Sequence, residues 1–245
     1  MESPSGEGPR IAEVQAYVST TPPPVSGTWN DTGGGSWATA GKWNPNGVPG
    51  NGGNATFGSA ITSNAAVTLD GDRLISGLTF DNAKRYTISQ GGSGTLTLSI
   101  GSGAVPATVT SGSHEISAPI LLGSDLAVTV DNLAGTFTLS GTLSGSYGVT
   151  KSGPGKLVLS GTGTNFGGAL TLSDGTFAVD GSGTYSGQFA GSAPLVKEGG
   201  GTNHQRDLTE LRDRLQAAVR VSNERRGGSA GAWKVGQVDF SGNTW

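Results

Sequence analysis

Catalysis on a glycine-rich β chain would need acids, histidines or basic residues brought together, so the search for chemistry starts with them. The acids of the repetitive middle region are Asp70, Asp72, Asp81, Asp125, Asp131, Asp174 and Asp180. They stand one at a time, mostly beside Gly or Asn, where an Asp accepts a nearby backbone N–H and shapes a turn. Paired aspartates of the kind a polysaccharide-cleaving enzyme uses are absent from this pattern. His114 is followed by Glu115 but lacks the second histidine of a helix-borne zinc site, and His204 stands alone, so no metal site is expected. The segment from Gly91, GGSGTLTLS, carries Thr95 and Leu96 where a calcium-binding glycine repeat requires an acid. GTGTNFG and GSGTYSG imitate phosphate loops, but neither opens a helix whose N-terminus could face a phosphate. No cofactor is expected.

Trp29, Trp37 and Trp43 lie among Gly and Asn residues. Flat indole faces can stack on sugar rings, and they can equally seal the end of a core. The second role is the expected one, because a matching apolar element stands near the other end of the chain. Asn30-Asp31-Thr32 and Asn54-Ala55-Thr56 are formal glycosylation acceptors of a kind that arises by chance in such loops.

These residues are carried on an unusual chain. Gly accounts for 44 of 245 residues, about 18% against a usual share near 7%. Cys is absent, so disulfide scaffolds and cysteine-bound zinc are excluded. Charged residues are 13%, about half the usual share, and the net charge is −3. That balance argues against nucleic acid as a partner. Residues 1–24 carry −2, residues 25–202 carry −3 and residues 203–245 carry +2, which sets the last segment apart. No apolar run is long enough to insert across a bilayer, and MESPSGEGPR does not read as a secretory signal.

Three regions follow. Residues 1–24 hold one loosely alternating run, Ile11 to Val18, and a Pro-rich linker that ends in PPP. Residues 25–202 form the body. From Asn64 to Gly181 they fall into short runs such as AAVTLD, LISGLTF, RYTIS, GTLTLS, ATVTS, HEISAPILL, LAVTV, GTFTLS, GKLVLS and GTFAVD. Each is rich in Val, Leu, Ile and Thr, and each is bounded by turn residues, which makes them strands. Five share a Gly-led template, at Gly94, Gly135, Gly155, Gly168 and Gly175. A strand with one apolar residue in two cannot bury its inner face alone, whereas similar coils stacked on one another extend a narrow continuous core. The fold expected is therefore all-β, a parallel β-helix (solenoid) of about six coils at roughly 22 residues each. A sandwich or jelly roll is the alternative that the same strand spacing allows.

Residues 203–245 break the pattern. Leu208, Leu211, Leu215, Ala218 and Ser222 recur at heptad spacing, and Val219 widens the stripe. Asp207 and Glu210 fit an N-terminal cap and Gly227 a C-terminal stop, so a short C-terminal α-helix is expected. Its leucines either plug the open end of the solenoid or pair with copies of the chain. The last residues, WKVGQVDFSGNTW, add one alternating strand.

The stretch from Gly148 to Gly181 resembles the autotransporter-associated β-strand repeat. Lys151, Gly153, Gly155, Leu157, Leu159, Ser160 and Gly161 match its first part. Asn165, Phe166, Gly168 and Leu170 match the second, and Gly175, Phe177 and Val179 the third. The Trp-rich segment upstream is similar to the opening that precedes such repeats, and the resemblance spans residues 27–202. It implies a right-handed parallel β-helix, used as a surface-exposed passenger or stalk. PLVKEGGGT, from Pro194, begins another copy that then gives way to the helix, and no membrane barrel follows.

The function expected is therefore structural and non-enzymatic: an adhesin-like module at a bacterial cell surface or outside the cell. A virion subunit such as a phage fibre, spike or capsid decoration protein is the alternative. A carbohydrate lyase or depolymerase is a less favoured one. Partners would be the chain itself or other structural subunits, with surface carbohydrate as a further candidate.

Overall fold

The structure, a computed structural model of the chain, describes residues 22–162, 164–180, 183–185, 189–191 and 195–197. The expected run Ile11 to Val18, the C-terminal helix with Leu208, Leu211, Leu215 and Val219, and the final strand lie outside the described residues.

Within them the chain is a β-solenoid of about five turns. Each turn lays down one short strand on each of three faces. The first face is a ladder of eight parallel strands: Gly35–Ser36, Ala65–Leu69, Tyr86–Gln90, His114–Ile116, Thr136–Leu139, Lys156–Leu159, Thr176–Val179 and Leu195–Lys197. The second face stacks Leu96–Leu98, Ile120–Leu122, Leu143–Gly145, Thr164–Phe166 and Gly183–Tyr185. The third stacks Gly27–Trp29, Gly53–Phe57, Val105–Ser111, Leu126–Val130, Val149–Ser152, Leu170–Leu172 and Phe189–Gly191. The long strand Arg73–Asp81 turns the corner between the last two faces, pairing with Leu96–Leu98 through its first half and with Val105–Ser111 through its second.

Parallel pairing decides against the sandwich, which needs strands that run up and down. Among the described residues antiparallel contacts occur only at the N-terminal end, where Trp29 pairs with Trp43 and Val25 bridges to Gly50. The core follows from register. Val67, Ile88, Ile116, Leu139, Leu159 and Val179 sit one above another on the first face, all buried. Leu96, Ile120 and Leu143 do the same on the second. A side-chain period of two puts every alternate residue inside, and the interstrand spacing near 4.8 Å brings like residues into contact between turns.

One sequence run resolves differently from its appearance. HEISAPILL is not one strand but two, His114–Ile116 and Ile120–Leu122. Ser117 and Ala118 both donate their N–H to the Ile88 carbonyl, and with Pro119 next the chain bends there. LISGLTF lies within one strand because Gly77 leaves room at the bend, where a Cβ would stand 2.7 Å from Asn54 Oδ1. PLVKEGGGT continues the solenoid as Leu195–Lys197, in parallel register with Phe177–Val179.

Candidate functional site

Trp29, Trp37 and Trp43 lie together at the N-terminal end of the solenoid, each at most 2% exposed. Trp43 meets Trp29 edge-on at 5.1 Å and Trp37 at 4.9 Å, and both Trp37 and Trp43 pack on Phe57 at 5.6 Å. Every indole N–H is used, donating to the carbonyls of Gly33, Pro49 and Trp37 respectively. Their faces are therefore occupied by one another rather than open to a sugar. Lys42 closes the cluster from outside: Nζ lies 2.7 Å from Asp31 Oδ2 and 5.7 Å from the Trp29 ring. The hydrogen bond from Lys42, helped by the Gly33 N–H, holds the Asp31 carboxyl below the usual carboxylate range.

The acids accept backbone N–H groups, some within their own turn and some from the next. Asp31 accepts from Gly33 N–H, Asp72 from Thr95, Asp125 from Gly148 and Asp174 from Gly175. Asp72 and Asp125 thereby tie one turn to the next. Glu115 is engaged by Ser140 and, at 3.4 Å, by Arg85. Among the described residues no three His, Asp or Glu side chains gather as metal ligands would.

Among the described residues three titratable side chains, His114, Tyr86 and Lys151, are fully buried, each at an inward position of a ladder. His114 follows the parity of Ile116. Its ring stacks on Phe80 at 5.0 Å, Nδ1 accepts the Tyr86 N–H at 3.0 Å, and Nε2 lies 2.9 Å from the Ser111 carbonyl. Burial is the largest influence and lowers its pKa, aided by the positive charge on Arg85, while the Ser111 and Asn82 carbonyls and Asp81 act in the opposite direction. Tyr86, beside it, donates its hydroxyl to the Gly58 carbonyl, and burial raises its pKa.

Lys151 stands between Val128 and Leu172 in the inward ladder of the third face. Its Nζ donates to the carbonyls of Ser152 and Gly153, both at 2.7 Å, and of Asp174 at 3.3 Å. Burial lowers its pKa while Asp174 raises it. The cradle depends on glycines. Gly153 has φ +74°, and a Cβ there would lie 2.5 Å from the Val130 carbonyl oxygen. Gly175 has φ +73°, and its Cβ would lie 2.8 Å from the lysine nitrogen itself. Lys151, Gly153 and Gly175, three of the residues that carry the sequence resemblance, are thus parts of one corner.

Comparison with known proteins gives no relative. No family model, curated protein or solved structure matches the chain.

Outside the core, the third face presents Thr28, Thr56, Thr79, Thr108, Thr129 and Ser152 in register. Thr129 and Ser152 share a hydrogen bond of 2.9 Å between turns. Sequence reasoning saw Thr79, Thr108 and Thr129 as strand residues and missed the alignment of all six, which depends on the length of every intervening corner. The burial of His114 and Lys151 did have a signal: each sits two residues from an apolar residue of its own strand, Ile116 and Val149, and so shares that residue's face.

Proposed function

We propose that this chain is a non-enzymatic structural β-solenoid, an adhesin-like stalk or passenger module displayed at a bacterial surface. The observation that carries the reading is the use made of its polar groups. The acids with defined partners are spent on turns and cross-turn ties, the buried lysine on three backbone carbonyls, and the buried histidine on two backbone groups. A catalyst instead keeps acids and bases aimed at a shared space where substrate can sit. Stacked turns give a rod whose stability is a sum of neighbour contacts, which suits a spacer. The likeness of Gly148 to Gly181 to the autotransporter-associated repeat supports the surface location.

Immunogold microscopy of intact cells, using antibody raised against the full chain, tests this. Label on the outer surface is the expected result, and label confined to the cell interior would overturn it. Label on released particles would assign the same structural role to a virion. Release of reducing or unsaturated sugar ends when the purified chain is incubated with surface polysaccharides would replace the structural reading with an enzymatic one.

A further inference from the structure

We propose that His114 is an acid-operated latch: a proton added to its ring unfastens the strand Tyr86–Gln90 from the strand His114–Ile116 and loosens the aromatic N-terminal turns from the rest of the solenoid. The inference is independent of where the protein is displayed.

The hydrogen bonds fix the proton. The Ser111 carbonyl can only accept, so Nε2 carries hydrogen, and the Tyr86 backbone N–H can only donate, so Nδ1 must be bare. An imidazolium carries hydrogen on both nitrogens. It would set N–H against N–H and leave a buried amide with no acceptor. The ring has no route to water in its present place, being 0% exposed, with Phe80 stacked at 5.0 Å, Tyr86 at 5.9 Å and Phe137 paired to it in register.

The charged and titratable groups around it do not rescue the cation. Arg85 opposes it and Asp81 favours it, while Asp81 is itself engaged by the Ser111 hydroxyl. Glu115, on the same strand, is held by Arg85 and Ser140. The Tyr86 hydroxyl is fixed on Gly58. Desolvation is the largest influence, so the neutral ring is favoured.

The first face is also joined by few residue pairs at this position. Strands 86–90 and 114–116 share two residue pairs, Thr87 with Glu115 and Ile88 with Ile116. Strands 65–69 and 86–90 share five, and strands 136–139 and 156–159 share four. The Tyr86 N–H on His114 Nδ1 therefore extends an otherwise short joint. An unfolded histidine takes up its proton near pH 6.5 and the folded one only at lower pH. Between those values the loosened state binds more protons, so the joint is intact above about 6.5 and weakens as pH falls.

The test uses the full-length chain. His204 is the other histidine, so a His204→Gln variant serves as reference, and His114→Gln in that background keeps a donor and an acceptor but cannot titrate. Hydrogen exchange followed by mass spectrometry is compared from pH 7.5 to 5.0, after correction for intrinsic rates. In the reference, the opening equilibrium of residues 65–90 should rise by up to tenfold per pH unit below 6.5, ahead of residues 136–179, and the rise should vanish with His114→Gln. An equal rise in both regions, or a rise that survives the substitution, would overturn the latch. Long-range nitrogen NMR of the reference gives a second readout should the variant fail to fold. A neutral ring with hydrogen on Nε2 that persists below pH 6.5 is expected. Ordinary titration of His114 with Tyr86 still protected would refute the proposal.

Discussion

Lys151→Met is the sharpest test of the corner built around the buried ammonium. Methionine has nearly the length and volume of the lysine stem and is unbranched, so the ladder between Val128 and Leu172 stays filled. What is lost is the donor. The carbonyls of Ser152 and Gly153 each accept at 2.7 Å, and that of Asp174 at 3.3 Å. A buried acceptor left without a partner costs about 1–3 kcal/mol. Counting the two short bonds as about 2 kcal/mol each and the long one as little gives about 4 kcal/mol. Methionine in turn escapes the desolvation that lowers the lysine's pKa, which returns about 1–2 kcal/mol. The net expected loss is about 2–3 kcal/mol, or about 5–10 °C in Tm for a chain of this size. Urea titration followed by far-UV circular dichroism measures it, with Lys84→Met as an exposed control. A change within about 0.5 kcal/mol, the range of ordinary surface substitutions, would show that the ammonium does not hold the corner and that its place in the repeat has another cause.

Three further outcomes follow from the same structure. Trp43→Ala removes the ring that touches Trp29, Trp37 and Phe57; a loss of about 3–5 kcal/mol is expected, read by urea denaturation, and a loss below about 1 kcal/mol would mean that the indoles do not close the core. Gly153→Ala combines φ +74° with a Cβ 2.5 Å from the Val130 carbonyl oxygen. It should cost at least about 1–3 kcal/mol, and an unchanged melting temperature would contradict the corner geometry. For the C-terminal segment, Leu211→Asp with Leu215→Asp in the full chain should either lower the mass seen by light scattering or raise aggregation; no change in both would remove the plug and the pairing roles together.

The alternation of Val, Leu and Thr with glycine-bounded corners was enough to predict stacked strands, because burying every second residue of many short runs leaves few arrangements. The turn role of Asp174 was legible as well, since its partner, the Gly175 N–H, is next in sequence, whereas Asp72 and Asp125 accept from Thr95 and Gly148, 23 residues on. Parallel against antiparallel stacking was not legible from the runs themselves, which have the same period in either case. It was settled by pairs such as Val128 with Lys151 and Ile116 with Leu139, more than 20 residues apart. The same holds for the chemistry of the buried basic side chains His114 and Lys151. Parity puts His114 and Lys151 inside, but only the stacking of one turn on another brings the Tyr86 amide to the first and the Asp174 carbonyl to the second. Local sequence sets which face a side chain takes. Register between distant turns sets whom it meets, and register depends on the summed length of every corner between them.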